Sequence, residues 1–418
     1  MERLLINKNT SMWSVFLLLF FITLSKYNIS IGFSLKIYMI FLAIFFCIHF
    51  RDFYFQTLYH YEILLLLFYF TYCLSGAFSQ YPESSIRVIL GVILVLGCYF
   101  IMRYVLELTT LSAIENSIAN VGIIFNVISL LLYIIGIKVT GRFPTGVEIT
   151  SYGLLLDRDY PRLIGLLDDP NIFIFFNTIF FSFYLTNLKG FKNSIGFLLC
   201  MITSLLTFSR GGILALVLVV FLYMLLANFS KKIKMLAVSL LFLTVIFVAG
   251  SLIKIDFNEI ITSRITDFST DGGSGRFELW GQAINYFMSN PLFGIGAFNF
   301  SDYYAFEHNE KLYVHNTYLE VLVESGIIGF LFYLSFLLML FITLFKSKLH
   351  KEKPFIVLTL FAFLIQMMSL SLMINEAFFS FLALALKYIS VYERKEVECN
   401  ELQQKGRQTP GFGDNSLV

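Results

Sequence analysis

The residues best suited to chemistry in this sequence are a few arginines and one histidine beside long apolar segments. Arg210 lies in Ser209-Arg210-Gly211-Gly212, and His315 begins His315-Asn316-Thr317-Tyr318-Leu319-Glu320. Guanidinium groups bind phosphate oxygens through paired hydrogen bonds. A histidine with an ordinary pKa of about 6.5 is available as a base near neutral pH. These residue types predict chemistry on an anionic, lipid-attached substrate.

Arg162 precedes a segment that is typical of a helix start, Asp168-Asp169-Pro170-Asn171. The structural interpretation is that Asp169 caps a helix beginning at Pro170 and that Arg162 is a surface residue. The functional interpretation is that Arg162 and the free backbone N–H groups of that helix start bind an anion. Arg162 and Asn171 are therefore candidate substrate-binding residues.

Arg210 joins two apolar segments with almost no loop between them. Such an arginine either extends its charge to the lipid headgroups or has a function, because its charge is costly in an apolar environment. Gly211 and Gly212 permit the close approach of a backbone or a ligand.

A polar interval of about sixty residues, 254–314, separates two later apolar segments and contains Arg264 and Arg276. Apolar residues recur at helical spacing after Ser274, which predicts a capped helix lying along the membrane interface. Trp280 shares a face of this helix with Arg276. An interfacial tryptophan is ordinary, so only the arginine contributes to the functional prediction.

His315 opens the next apolar segment, and His308 in the same polar interval is a rival candidate. A lone histidine is more often structural than catalytic. We favour His315 because it is fixed at a helix start, with Asn316 beside it as a candidate substrate-binding residue.

The composition predicts an integral membrane protein. The hydrophobic fraction is 58% and the charged fraction only 14%, against about 25% charged residues in an average soluble domain. The mean hydropathy is +0.78. The cysteines form no pair suited to a disulfide, and their spacing with histidine resembles no metal-ligand set. We expect no metal, no cofactor and no nucleic-acid partner.

Apolar segments long enough for a bilayer, which takes about 20 helical residues, predict an all-α bundle of about twelve transmembrane helices. They span 11–25, 33–50, 61–79, 86–105, 118–137, 170–188, 192–208, 212–229, 233–253, 315–345, 354–373 and 376–392. The membrane domain is thus predicted at 1–392. The polar remainder, 393–418, is predicted to be a disordered cytoplasmic tail.

The distribution of Lys and Arg predicts the orientation. If both termini are cytoplasmic, the basic clusters 231–234 and 346–353 also face the cytoplasm. The segment 138–169, the turn at 209–211 and the large loop 254–314 then open together on the other side.

Five motifs in order resemble the bacterial O-antigen polymerase and O-antigen ligase family over about 160–335. They are Arg-x-x-Gly-x-x-x-Asp-Pro-Asn at 162–171, Ser-Arg-Gly-Gly at 209–212, Arg276 with Trp280, Asn-Pro-Leu-Phe-Gly-Ile-Gly at 290–296, and His-Asn-x-Tyr-Leu-Glu from His315 followed by Glu324 and Gly326.

The resemblance implies transfer of a glycan from polyprenyl diphosphate at the outer side of the bacterial plasma (inner) membrane, with inversion and without a metal. Arg210 and Arg276 would hold the diphosphate, and His315 would activate the acceptor hydroxyl. We predict substrate contacts for Arg162, Asn171, Arg264 and Asn316. The expected partners are the lipid-linked oligosaccharide and membrane lipids, and a chain-length regulator protein is a candidate.

The leading hypothesis is a repeat-unit polymerase for an O-antigen, capsule or exopolysaccharide. The nearest alternative is a ligase that transfers the finished glycan to a lipid A core. An alternative of another class is a transporter of a lipid-linked or anionic solute, for which Glu320 and Glu324 are the best intramembrane candidates.

Overall fold

The computed structural model describes residues 8–30, 34–141, 147–157, 160–226, 233 and 275–407. Its helices are α1 Lys8–Thr23, α2 Ile37–His49, α3 His60–Ser75, α4 Pro82–Glu107, α5 Leu111–Thr140, α6 Pro170–Thr186, α7 Phe191–Leu206, α8 Arg210–Leu226, α9 Arg276–Ser289, α10 Phe300–His308, α11 Thr317–Lys346, α12 Leu349–Glu352, α13 Pro354–Gln366 and α14 Glu376–Arg407. The predicted span 233–253 lies outside the described residues except for Ile233.

The described chain is mostly helical, and four of its helices are long and apolar enough to cross a membrane: His60–Phe78, Pro82–Glu107, Leu111–Thr140 and Thr317–Lys346. Other apolar helices, including α6 and α13, are shorter than this length. Large apolar side chains such as Phe70, Leu90 and Leu338 are exposed on outer helix faces, as expected for contact with lipid. The total of about twelve spans stays a prediction.

Helix α6 lies at the centre of the bundle, and every residue from Phe173 to Leu185 is buried. It packs against α5, α7, α8 and α13. Asn177 of α6 accepts a hydrogen bond from Asn126 of α5 (2.9 Å) and donates to Ser204 of α7 (3.0 Å). Buried amides must be paired in this way, and the pairing fixes the relative register of three helices.

Two small antiparallel sheets interrupt the predicted all-α fold. One pairs β1 Asn28–Ser30 with β2 Ser34–Lys36, and the other has the order β3 Ile149–Ser151, β4 Leu154–Leu156, β5 Pro161–Leu163. Strand β4 is fully buried. Its backbone therefore needs partners outside water, and pairing with the flanking strands supplies them.

Helix α11 is broken at Gly326, where φ is 64° and ψ is −169°. The 290–296 motif fills the break: Ile295 and Gly296 donate backbone hydrogen bonds to the carbonyls of Val323 and Glu324 (2.9 and 3.2 Å). In return, Ile327 N–H donates to the Pro291 carbonyl (2.8 Å). A broken helix at membrane depth requires such internal partners, so the motif and the Glu324-x-Gly326 sequence form one structural unit.

The structure corrects the predicted ends of two segments. Helix α13 ends at Gln366, so the end of the predicted span 354–373 is a loop. This loop lies against the start of α11, where Thr317 donates hydrogen bonds to the backbone carbonyls of Met367 and Leu370. The predicted disordered tail begins as helix, because α14 continues to Arg407. Arg394 pairs with Glu107 (3.1 Å) and Glu396 with Lys348 (2.6 Å), which tethers this extension. Residues 408–418 lie outside the described part.

Candidate functional site

A cavity of about 380 Å³ collects residues from distant parts of the chain. Its polar lining is Asp169, Asn171, Arg276, His315, Glu320 and Ser371, and its apolar lining includes Val88, Phe298 and Leu370. Three sequence-predicted site residues, Asn171, Arg276 and His315, thus meet at one cavity. They come from the start of α6, the start of α9 and the residues before α11.

The start of α6 confirms the helix-start prediction. Asp169 precedes Pro170, and its carboxylate accepts hydrogen bonds from the backbone N–H groups of Asn171 (2.7 Å) and Ile172 (3.0 Å). Those two donors are therefore engaged, and the prediction that they are free to bind an anion is wrong. The Asn171 side chain lines the cavity and accepts a hydrogen bond from the Ser209 hydroxyl (2.7 Å).

Arg162 is buried on strand β5 and is not part of the cavity lining. Its Nε donates to the Thr207 carbonyl (3.1 Å) and its Nη1 to the Asp157 carboxylate (2.8 Å). Arg162 is therefore not a surface residue. Its guanidinium group holds Thr207, two residues before the Ser209–Gly212 turn. These contacts give Arg162 a structural role, and its contact with substrate stays a prediction.

Arg210 begins α8 and is half-buried. It is not among the residues that line the cavity, but the turn that carries it is attached to the cavity wall through the Ser209–Asn171 hydrogen bond. A Cβ at Gly212 would lie 2.2 Å from Ile174, and one at Gly211 would lie 2.7 Å from Ser369. The two glycines therefore allow the Arg210 turn to pack against both α6 and the loop after α13.

Arg276 is the first residue of α9 and lines the cavity. The predicted helix is present, but its N-cap is Gly275, in a left-handed conformation, and Ser274 lies outside the described residues. Trp280, one turn later, donates from Nε1 to the Val314 carbonyl (3.1 Å). The tryptophan thus fixes the backbone beside His315, which the interpretation of Trp280 as an ordinary interfacial residue missed.

The polar interval has a small core of its own, made of Leu279, Ala283, Tyr286, Ile295, Phe300, Tyr304, Val314 and Val323. Because Val314 and Val323 flank the first turns of α11, this core holds α9 and α10 against the start of that helix. Arg276 and His315 are thereby held near each other. The predicted substrate-binding residue Arg264 lies outside the described residues.

His315 has a left-handed backbone conformation, with φ at 51°. The backbone N–H of His315 donates to the Ser371 hydroxyl (3.1 Å). Two residues later, the backbone N–H of Thr317 donates to the Met367 carbonyl (2.9 Å), which fixes the chain that follows. Such a conformation in a non-glycine residue costs about 1–3 kcal/mol and persists only where its surroundings impose it. The loop after α13 supplies those surroundings.

The electrostatic environment of His315 favours the neutral base. Burial lowers the pKa of His315 below its ordinary value, the nearby Arg276 guanidinium lowers it further, and the Asp169 carboxylate opposes the shift. At neutral pH the imidazole is therefore uncharged and can accept a proton.

Asn316 has a clear structural role at the start of α11. It is buried, and its side chain caps α11 by accepting hydrogen bonds from the backbone of Tyr318 (3.1 Å) and Leu319 (3.2 Å). Asparagine suits this position because it satisfies backbone donors that the first turn leaves open. Asn316 is not among the residues that line the cavity, and its contact with substrate stays a prediction.

Glu320 and Ser371 are cavity residues that the sequence did not mark as site residues. Glu320 was a candidate only for transport, and Ser371 was assigned to a transmembrane span. The signal for Glu320 was its place one turn into the helix that His315 precedes. For Ser371 the only signal was the polar sequence Ser369-Leu370-Ser371, which interrupts an apolar segment.

A sequence model of the family described as O-antigen ligase matches residues 195–334. The match confirms the resemblance to the O-antigen ligase and polymerase family. It covers the Arg210 turn, Arg276, the 290–296 motif and His315, whereas Arg162 and Asn171 precede it. The chain is also similar to the teichuronic acid biosynthesis protein TuaE of Bacillus subtilis (strain 168), with 26% identity over an alignment of 361 residues. The match covers 79% of this chain and 72% of that protein.

Proposed function

We propose that this protein is a repeat-unit polymerase that transfers a glycan from polyprenyl diphosphate to a hydroxyl group of a lipid-linked acceptor sugar. The family match and the similarity to TuaE support a membrane enzyme of polysaccharide biosynthesis. We propose further that the donor is a glycan on polyprenyl diphosphate and that the product is an O-antigen, a capsule or an exopolysaccharide. We also propose that the cavity opens on the extracytoplasmic side of the bacterial inner membrane.

The observation that carries the proposal is the position of a half-buried His315 and Arg276 on one cavity, beside the Arg210 turn. A base with a lowered pKa next to a guanidinium group suits a reaction that activates a hydroxyl while an anionic group departs. The Arg276 guanidinium and the His315 imidazole would both be less effective in water, because electrostatic interactions are stronger in a partly dry site.

The proposed step is a single displacement. The acceptor oxygen forms a bond to the anomeric carbon as the bond from that carbon to the diphosphate oxygen breaks, with inversion. His315 receives the hydroxyl proton, and the departing diphosphate keeps the electron pair. Arg276 and Arg210 would stabilise the charge that collects on the leaving group. General-base assistance of this kind is typically worth about 10² to 10⁴ in rate.

A ligase is the second candidate because the family description that matches residues 195–334 is O-antigen ligase. Both enzymes would use the same donor and the same departing diphosphate. They differ in the acceptor, which is another lipid-linked repeat unit for the polymerase and a lipid A core for the ligase. The cavity chemistry serves either acceptor.

The purified protein, reconstituted with a defined lipid-linked repeat unit, tests the proposal. Analysis of the products should show chains longer than one repeat unit, together with released polyprenyl diphosphate. Transfer only to an added lipid A core would establish the ligase instead. Passage of the substrate across the bilayer without a new glycosidic bond would refute both and favour the transporter.

A further inference from the structure

Glu320 is an unusual feature of the cavity because it is deeply buried and one of its oxygens has no hydrogen-bond partner in the described part of the chain. The residue is 3% exposed and lines the cavity. Its Oε2 makes no hydrogen bond to any residue that the structure describes. Leaving a buried carboxyl oxygen without a hydrogen bond costs free energy, so this position is suited to a ligand that supplies the missing donor.

Glu324, one turn further along α11, shows the contrast. Its carboxylate accepts hydrogen bonds from the Tyr72 hydroxyl (2.7 Å) and from the backbone N–H groups of Phe298 (3.0 Å) and Phe300 (3.2 Å). These contacts hold the start of α10 and the cavity residue Phe298. Both oxygens of Glu324 are therefore engaged by the fold, whereas Oε2 of Glu320 has no hydrogen-bond partner among the described residues.

Ser371 links Glu320 to the catalytic base. Its hydroxyl interacts with the Glu320 carboxyl group and accepts a hydrogen bond from the backbone N–H of His315 (3.1 Å). A group bound to Glu320 would thus lie beside the residue that receives the proton in the proposed reaction.

The two polar sides of the cavity differ in chemistry. Arg276 provides the positive side, which suits a diphosphate. A carboxyl oxygen accepts hydrogen bonds from hydroxyl groups, so Glu320 suits an uncharged sugar. The aromatic rings of Phe298 and Tyr313, with centroids 5.8 Å apart, also line the cavity and offer an apolar surface to a sugar ring.

We propose that Glu320 and Ser371 form the subsite for the acceptor sugar, in which Glu320 accepts a hydrogen bond from a hydroxyl group next to the one that His315 activates. This inference rests on the proposed glycosyl transfer and assigns the acceptor to one wall of the cavity. Glu320 touches the acceptor but takes no part in bond breaking.

The test compares Glu320→Leu and Glu320→Gln with Glu278→Gln, a change at an exposed position of α9. The acceptor probe is the repeat-unit oligosaccharide without its lipid carrier, and the donor-side probe is polyprenyl diphosphate without sugar. Glu320→Leu should raise the KM for the oligosaccharide about tenfold or more, and Glu320→Gln should raise it less. Polyprenyl diphosphate should bind both variants within twofold of the wild-type Kd.

Ser371→Ala should raise the same KM more modestly, and Glu278→Gln should leave it unchanged. An unchanged acceptor KM in Glu320→Leu would overturn the inference, as would a parallel loss of polyprenyl diphosphate binding. Because Glu320→Gln conserves size, it keeps the test decisive if the leucine variant fails to fold. If wild-type protein makes no new glycosidic bond at all, the proposed function is wrong, which is a different result from normal KM values in the variants.

Discussion

The imidazole of His315 has two charged neighbours of opposite effect. Arg276 lowers the pKa of His315 and Asp169 raises it, while burial, the largest influence, lowers it. The same arginine that would stabilise the departing diphosphate thus also keeps the base uncharged. Stabilisation of the leaving group by Arg276 and base catalysis by His315, which the sequence suggests as separate roles, are therefore physically coupled.

Asp169→Asn should move the acidic limb of the pH–rate profile to lower pH. Removing the carboxylate takes away the one influence that raises the pKa of His315, so the neutral imidazole persists in more acidic solution. Asparagine is as good a helix cap as aspartate, so α6 should retain its start. The measurement is the rate of polymer formation as a function of pH.

The control for that change is Asp168→Asn, which alters the adjacent exposed carboxylate. It should leave the profile unchanged. A limb that stays in place in Asp169→Asn, or that moves to higher pH, would show that His315 is not the titrating base.

Among the structural elements, α11 is the one on which the site most depends. His315 lies just before this helix, Glu320 and Glu324 lie in its first turns, and its break at Gly326 receives the 290–296 motif. Backbone hydrogen bonds that a continuous helix would make internally are exchanged with that motif. The 290–296 motif is therefore a structural partner of α11. This role explains why no residue of the motif lines the cavity.

Gly326→Ala should destabilise the protein strongly. The φ and ψ values at Gly326 lie in a region that is essentially restricted to glycine, which costs other residues roughly 1–3 kcal/mol. A Cβ there would also lie 2.3 Å from the Leu292 carbonyl oxygen. Thermal unfolding of the purified protein in detergent should show a clearly lowered midpoint.

Gly281→Ala is the matched comparison, because Gly281 lies in α9 and a Cβ there would meet nothing within 4 Å. Replacing a helical glycine with alanine should be neutral or stabilise by up to about 1 kcal/mol. Equal unfolding midpoints for the two variants would contradict the account of the break.

The helices were largely predictable, and the break was not. Long apolar segments and helix-start residues such as Pro170 and Pro354 carry local information about where helices lie. The break at Gly326 depends on backbone hydrogen bonds with the 290–296 motif, which is distant in the sequence. No local pattern reports such a partner, and the same is true of the loop after α13, which is apolar enough to resemble the end of a span.

At the scale of the whole molecule, the site is an assembly of segments that are far apart in the sequence. The residue types of His315 and Arg276 predicted their chemistry, and the shared cavity is consistent with it. Arg162 and Asn316 were predicted to contact substrate because their side chains are charged or polar. The sequence does not show which neighbouring groups of the protein bind these side chains. In the fold those groups are engaged by Thr207 and by the first turn of α11.

The proposed orientation predicts which surfaces a membrane-impermeant thiol reagent reaches. In a cysteine-free background, Ser289→Cys at the exposed end of α9 should be labelled in intact cells. Lys351→Cys, exposed in the basic cluster 346–353, should be labelled only after the membrane is opened. Labelling of Lys351→Cys in intact cells, or protection of Ser289→Cys, would reverse or refute the orientation.

We propose that His315 activates the acceptor within the cavity that it shares with Arg276. The most direct measurement is the product length made from a defined lipid-linked repeat unit by His315→Ala and by His308→Ala, its control in the same polar interval. His308 is substantially exposed on α10 and is not part of the cavity lining. We expect no extension by His315→Ala and normal chains from His308→Ala. Normal chains from a well-inserted His315→Ala protein would show that His315 is not the base.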